Sequence, residues 1–516
     1  MQQPTVNHKW QVTCPATLQV IAEIEETPIE AVPEMFAQAR EAFGSWSALS
    51  LRERIHYLRR LRLYMADHME EIVQTISNDT GKVKVDALVA DILPILDALE
   101  HIEKHAPRIL MKQKQSTPIL LIGKSSYIEY MPRGVVLVIS PWNYPLHLAM
   151  MPIISALVSG NTVILKPSEI TPLVGLLVQQ LFERVGFPNG VVQVAHGGKE
   201  LGAALTQGKP DYIFFTGSVR TGQIIQAQAA KDLIPTTLEL GGKDPMIVFA
   251  DANLKRAVKG ALWGAFTNSG QVCMSTERLY VERSIYDRFV SRLIDEVNQL
   301  NQGFGPDDDV GSMTSPAQLL IIKEQLEEAL ALGAELRTGS APAEWKTDQG
   351  LFLPPTVLTN VKQSMKVVQE ESFGPLLPVI PFDTEEEAIA LANDSVYGLN
   401  ASVWSGDLTK AKRVSSRLVS GAVAINDVLV TVANHNLPFG GAKQSGIGRY
   451  HGEGGLRIFC HEKAVVIDPG TKRSEVHWYP YKGKYHLLYN LIYSYYGKTR
   501  NWFTFAKTYL KLLRKS

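Results

Sequence analysis

The sequence predicts an α/β chain with two doubly wound parallel-sheet regions, and three observations carry this. Short apolar, β-branched runs alternate with helix-length stretches from about residue 135 to 250, and the alternation returns from about 245 to 440. Alternation of this kind places helices on the faces of a parallel sheet. A length of 516 residues exceeds one core, so two or three domains are expected. Neither an internal repeat nor a low-complexity linker separates the two regions, so they are expected to pack closely, with a site in the crevice between them.

Residues 1–30 read as short strands and turns, with Val12, Leu18, Val20 and Ile21 as the apolar points. Residues 31–76 are helical in pattern. Pro33 suits a helix start, and Leu51 to Met65 is amphipathic, with Arg52, Arg54, Arg59, Arg60 and Arg62 on its polar side. One further helix is expected from about Lys84 to His105. Between 117 and 139 the period changes, and Ser125–Tyr130 and Gly134–Ile139 read as strands around Pro132-Arg133-Gly134. The first alternating region then offers strands at Val135–Ile139, Thr162–Leu165, Val191–Ala195, Tyr212–Phe215 and Thr237–Leu240, with helices such as Pro172–Val185 between them. The second offers Met246–Val248, Arg278–Val281, Leu377–Phe382, Ala401–Trp404 and Ala422–Ile425.

A hydrophobic content of 45% and a charged content of 20% are ordinary for a soluble globular protein. Zero net charge argues for neither a nucleic acid nor an acidic partner. Cys14, Cys273 and Cys460 are odd in number, far apart and without metal-ligand spacing, so a reducing compartment is expected and no metal site. The first ten residues carry no apolar signal core. The charge balance hides an asymmetry: residues 477–516 hold eight Lys or Arg, no Asp or Glu, and twelve of the 43 Phe, Trp and Tyr.

The chemistry-bearing residues stand at strand ends. Cys273 lies in Gly270-Gln271-Val272-Cys273, where Gly264, Ser269 and Gly270 leave room for backbone to approach a ligand. A thiol is a nucleophile only as thiolate, so it needs partners. Lys166 and Glu169 follow a strand and are placed to hydrogen-bond a ribose. Gly217-Ser218, with Gly222 five residues after Gly217, joins a strand to a helix, the way backbone N–H groups are offered to a phosphate. The spacing is neither the dinucleotide fingerprint nor a Walker loop. Glu239, before Gly241-Gly242, ends a strand and is placed to hold a water as general base. Asn143, in a loop stiffened by Pro141 and Pro145, is an amide donor for developing negative charge. Glu371 stands two residues from Phe373, which suits a ribose hydroxyl beside a flat cofactor ring.

Taken in order, these stretches are specific. The chain resembles the aldehyde dehydrogenase superfamily over roughly residues 10–470. The matches are Pro-Trp-Asn-Tyr-Pro (141–145), Lys-Pro-Ser-Glu (166–169), Phe-Thr-Gly-Ser (215–218), Glu-Leu-Gly-Gly-Lys (239–243), Gly-Gln-x-Cys (270–273), Glu-x-Phe-Gly-Pro (371–375) and Pro-Phe-Gly-Gly (438–441). Ser372 departs from the isoleucine common in the family. The resemblance implies that Cys273 attacks the aldehyde carbon and that Asn143 and the Cys273 N–H hold the oxyanion. Hydride passes to the cofactor, and Glu239 activates the water that frees the carboxylic acid. It implies a cofactor site of Trp142, Lys166, Glu169, Gly217, Ser218, Gly222, Leu240, Glu371 and Phe373, binding NAD, with NADP as an alternative. Glu169 would repel a 2′-phosphate.

The implied fold has two doubly wound Rossmann-like domains and a small β oligomerisation element. The NAD-binding domain covers 1–123 and 139–241, the catalytic domain 242–443, and the oligomerisation element 124–138, a hairpin, with 444–476. A homodimer is expected, a tetramer being the alternative. The end of the chain, from Asn434-His435-Asn436 to Pro438-Phe439-Gly440-Gly441 and on to Trp478-Tyr479-Pro480-Tyr481, is similar to class 3 and fatty aldehyde dehydrogenases. Residues 477–516 contain no run long enough to span a bilayer. Their basic and aromatic residues suit a helix in the interface of an anionic membrane, or packing on a partner subunit. Apolar medium- or long-chain aliphatic or isoprenoid aldehydes are the expected substrates, with a small semialdehyde or amino-aldehyde as the alternative. The expected location is cytoplasmic, with peripheral membrane association.

Overall fold

The computed structural model describes residues 9–515. The chain forms two compact units, Met1–Met111 with Tyr130–Glu462, and Lys112–Glu129 with Lys463–Ser516.

In the first unit, a six-stranded sheet runs in the order Gly446–Ile447, Thr236–Glu239, Tyr212–Thr216, Val135–Ile139, Thr162–Lys166, Val192–Val194. All its pairings are parallel except that of Gly446–Ile447 with Thr236–Glu239. A seven-stranded sheet runs in the order Glu335–Leu336, Thr356–Thr359, Leu376–Phe382, Thr276–Glu282, Asp244–Val248, Asn400–Trp404, Ala422–Ile425. Only Glu335–Leu336 is antiparallel there. Val135 to Val138 and Asp244 to Val248 are buried residue after residue, because strands covered by helices on both faces need no polar side.

The structure corrects the sequence reading in two places. Residues 124–138 do not form a hairpin. Val135–Ile139 is a central strand of the six-stranded sheet, and Ser125–Pro132 instead pairs antiparallel with Gln113–Gln115. Gly134, at φ +136°, lies between them. Five consecutive apolar residues belong in a doubly covered sheet, which an edge hairpin does not provide. The single helix expected over 84–105 is Lys84–Asp86, a π-helical turn Ala87–Ile92, and Leu93–Ile109. Leu93 N–H bonds five residues back to Leu88, and Pro94 has no N–H for the preceding turn.

Upstream, the helical region divides into Val32–Ala48, Leu51–Asp67 and Met69–Thr80. Ser50 and Glu53 form a reciprocal capping box, so the second helix starts there.

The second unit carries its own small core. Helices Tyr485–Tyr496 and Trp502–Lys515 bury Leu491, Phe505 and Leu512 with Val476. Lys124 pairs with Glu475 at 2.7 Å and with Asp468. Among the described residues no helix is long and apolar enough to cross a membrane.

Candidate active site

In the six-stranded sheet the chain leaves Val135–Ile139 toward Thr162–Lys166 on one side and returns on the other at Tyr212–Thr216. The carboxyl ends of strands at such a reversal open a crevice. Asn143, Lys166, Ser218 and Glu239 all come from those ends.

Cys273 follows the helix Leu254–Phe266 and the turn Thr267–Gly270, just before the strand Thr276–Glu282. The turn is held in an unusual shape: Asn268, Ser269 and Gly270 have φ of +51°, +56° and +71°. Two non-glycine residues in a row in the left-handed region persist only where neighbours over-determine them. Asp86 accepts from Asn268 N–H at 2.8 Å and from the Thr267 hydroxyl at 3.0 Å. Ser269 donates to Gly311 O at 2.8 Å, and Gln271 Oε1 accepts from Thr314 N–H at 2.8 Å. The room left at Gly270 is used by the chain itself. A Cβ there would lie 2.2 Å from Gly374 O, and one on Gly264 would lie 2.7 Å from Thr276 Oγ1.

Asn143 is buried, and its Nδ2 donates to Gln271 O at 3.0 Å, tying the amide to the cysteine loop. A carboxamide nitrogen carries two hydrogens, so one N–H remains. The Asn143 backbone carbonyl accepts from Lys82 Nζ at 2.7 Å and from Asn268 Nδ2 at 3.1 Å. Lys82 Nζ also donates to Asp91 at 2.7 Å and lies 4.2 Å from the centre of the Tyr144 ring. Lys82, Asp86 and Asp91 were missed from sequence.

Glu239 ends its strand fully buried, and neither carboxylate oxygen has a partner among the described residues. Burial pushes its carboxyl well above the usual range, and Arg449 opposes the shift. Burial, with Asp244, Glu371 and Glu239 adding to it, pushes the Cys273 thiol up as well. Cys273, Glu239 and Asn143 line one cavity of about 460 Å³.

That cavity also reaches Trp142, Gly217, Ser218, Leu240, Glu371 and Phe373. Lys166, Glu169 and Gly222 lie outside its lining. Lys166 Nζ donates to Glu169 at 2.7 Å, while a Cβ on Gly222 would meet the Leu240 side chain. Ser218 caps the helix Val219–Ala230 and accepts from Thr221 N–H at 3.3 Å, leaving a helix N-terminus at the crevice. Burial and the Glu277 charge push Glu371 up to about 8, while the Gly242 N–H it accepts at 3.0 Å works against them. The Trp142 and Phe373 rings meet edge to face at 5.2 Å. A helix N-terminus, a buried carboxyl and two aromatic rings in one cavity suit a dinucleotide cofactor. Ser372 Oγ donates to Gln325 Oε1 at 2.6 Å and accepts from Lys243 at 2.9 Å, so this departure has a polar setting of its own.

Comparison with known proteins shows the family of the chain. The profile of the Aldehyde dehydrogenase family matches residues 2–465. The chain is 46% identical over 451 residues to 4,4'-diapolycopene aldehyde oxidase of Methylomonas sp, covering 87% of this chain and 84% of that one. It is 37% identical over 462 residues to 2-aminomuconic semialdehyde dehydrogenase of Danio rerio, covering 88% and 94%. A solved structure of betaine aldehyde dehydrogenase from Staphylococcus aureus in complex with NAD+ matches with a TM-score of 0.85 and 35% identity, covering 93% of this chain and 95% of that one.

Proposed function

The chain belongs to the aldehyde dehydrogenase family, and from that premise we propose that it oxidises apolar aldehydes to free carboxylic acids with NAD. One observation carries the substrate class. Among the described residues lining the cavity, the only charged ones are Glu239 and Glu371, which this reading gives to the water and to the nicotinamide ribose. Val89, Leu148, Trp263, Val430, Val432 and Phe439 are apolar parts of the remaining wall, which also holds the uncharged polar side chains of Tyr144, Thr267 and Gln318. A charged semialdehyde would find no Lys or Arg on that wall to pair its carboxylate, which is costly. An alkyl or isoprenoid chain would leave water for it at about 25 cal/mol per Å².

In this reading Cys273 Sγ attacks the aldehyde carbon. The carbonyl oxygen gains charge, which the free Asn143 N–H and the Cys273 backbone N–H stabilise. NAD, when bound, supplies the acceptor for the hydride that leaves that carbon. Glu239 then takes a proton from water as the water attacks the acyl carbon on Sγ, and the C–S bond breaks to free the acid. Ser218 with its helix N-terminus would hold the pyrophosphate. Lys166 and Glu169 would hold the adenosine ribose, and Glu371 the nicotinamide ribose beside Phe373. Glu169 disfavours a 2′-phosphate.

The reading extends to location. All three cysteines are free thiols, which suits a reducing compartment. On the helix Tyr485–Tyr496, the side chains of Tyr485, Tyr489, Ile492 and Tyr496 are all exposed, Tyr485 to 72%. Their spacing places them on one face. On Trp502–Lys515, exposed Phe503, Leu510, Lys507 and Arg514 likewise share a face. Aromatic and cationic stripes with no acid among them fit an anionic bilayer surface. The assembly is proposed to be a homodimer.

The test is kcat/KM for decanal, succinic semialdehyde and betaine aldehyde with NAD and with NADP. Decanal with NAD is expected to lead by about tenfold or more. A lead for either short, charged aldehyde would overturn the substrate class.

A further inference from the structure

The helix Leu254–Phe266 runs up to the turn before Cys273, and one face of it joins two recesses. Lys255, Lys259, Trp263 and Thr267 follow one another at intervals of four, so they lie along that face. Trp263 and Thr267 line the catalytic cavity. Trp263 also lines a second recess of about 540 Å³, together with Lys255, Arg256 and Lys259. Val428 borders this second recess, while the next residues, Leu429 and Val430, border the cavity. The two spaces therefore adjoin along two stretches of chain.

Their charge differs. The cavity lining holds no Lys or Arg. Among the described residues lining the second recess, Asp427 is the one acid against three cations. Arg256 already holds that acid at 3.1 Å, and its Nε donates to Asn426 O at 3.1 Å, fastening the helix to the loop after Ala422–Ile425. Lys255 and Lys259 are exposed, at a spacing where like charges repel. Lys255 also borders a smaller recess that holds Asp295 and Glu296, so Lys259, one turn nearer Trp263, is the better placed cation.

Two solvated lysines alone would be an ordinary helix surface. Two features set this face apart. Trp263 stands 49% exposed beside the lysines. At Gly260 a Cβ would lie 2.6 Å from the Trp404 ring, so the missing side chain lets Trp404 form part of the recess wall. An indole left half in water next to cations is what an alkyl chain ending in an anion would cover.

We propose that this recess is a second subsite, which takes the carboxylate at the far end of a long apolar aldehyde. The inference rests on the reading that Cys273 oxidises apolar aldehydes, and it extends that class to ω-carboxy aldehydes. With the aldehyde carbon at Cys273 Sγ, the chain runs along the apolar wall, passes Trp263 and ends at Lys259. Lys259 lies about 6 Å beyond Trp263 along the helix axis. A four-carbon semialdehyde keeps its carboxylate inside the cavity, where no cation meets it. A long dialdehyde fits the same scheme. Its first turnover consumes one water and one oxidised cofactor and gives a carboxylate at one end, the reduced cofactor and two protons. The molecule then binds again reversed, with the new carboxylate at Lys259 and the remaining aldehyde at Cys273.

The test compares kcat/KM for 12-oxododecanoate and for its methyl ester, with NAD at low salt. In the wild type the acid is expected to exceed the ester about fivefold, the order that one exposed lysine–carboxylate pair supplies. In Lys259→Gln, and further in Lys255→Gln/Lys259→Gln, the ratio falls toward about one while the ester keeps its rate. Salt at about 0.5 M has the same effect on the wild type and none on the double variant. A wild-type ratio of one or below, or a ratio that survives the double substitution, would overturn the subsite alone. An ester rate that falls with that of the acid would overturn it too, by making the lysines structural. A wild type that oxidises neither the ester nor decanal would instead overturn the reading of function beneath it.

Discussion

Lys82 donates to the backbone carbonyl of Asn143 at 2.7 Å while its ammonium pairs with Asp91, also at 2.7 Å. Both side chains are almost fully buried, at 1% and 0% exposure. Asp91 in turn accepts at 3.1 Å from the backbone N–H of His147, which lines the cavity. Asp91 in the π-helical turn and Asp86 just before it therefore connect the Asn143 loop, the cavity wall at His147 and the cysteine loop.

Substitution Lys82→Met leaves Asp91 buried without its partner, and a loss of about 3–5 kcal/mol in unfolding free energy is expected. The double variant Lys82→Met/Asp91→Leu should regain most of that stability but not kcat, because the Asn143 carbonyl still lacks the Lys82 donor. Denaturant unfolding beside steady-state kinetics separates the two effects. A double variant with wild-type kcat would show that the ion pair serves only the fold.

The two steps at Cys273 are expected to separate by mutation. Cys273→Ala should abolish NADH formation. Glu239→Gln should form about one equivalent of NADH in a burst and then turn over about a hundredfold more slowly, since a general base contributes factors of that order. Rapid mixing with decanal reads both. Steady turnover at the wild-type rate in either variant would rule out the assigned roles.

Burial raises both the Cys273 thiol and the Glu239 carboxyl. Each acts in its deprotonated form, so activity is expected to rise with pH across the acidic to alkaline range. In Glu239→Gln the hydrolysis step should lose its share of that rise while the burst keeps the part owed to the thiol. Single-turnover profiles of burst and decay check this, and a wild-type burst that falls over the same range would contradict it.

Much of the sheet architecture was legible because strands buried on both faces are written as unbroken apolar runs, as in Val135 to Val138. The partners of those strands were less so. Nothing local tells Ser125–Pro132 to pair with Gln113–Gln115 rather than with the run that follows it. Asn143, Glu239 and Cys273 were legible as motif members at strand ends and loops. Lys82 was not, because a lysine between Gly81 and Val83 reads as solvated until the fold closes Asp91 and Asn143 around it. Arg256 and Asp427 stand 171 positions apart, and no periodicity links residues that meet only through tertiary packing. Pro94 did carry a signal, being a proline inside a helical pattern, and the widened turn before it is its consequence.

The C-terminal helices provide the last prediction. Tyr489 and Ile492 are 56% and 50% exposed on a face that turns away from the small core of Leu491, Phe505 and Leu512. Interfacial binding would insert these side chains while Lys507, Lys511 and Arg514 meet anionic headgroups, each adding up to about 1 kcal/mol. The wild-type protein is therefore expected to co-sediment with phosphatidylserine-containing vesicles and to leave them as salt rises. Tyr489→Glu/Ile492→Glu should stay in the supernatant while oxidising a short soluble aldehyde at the wild-type rate. Unchanged sedimentation would remove the membrane from the account. Loss of the dimer on size exclusion, in place of loss of vesicle binding, would assign the face to the partner subunit, because an acidic pair inserted at a buried subunit contact disrupts it whether or not lipid is present.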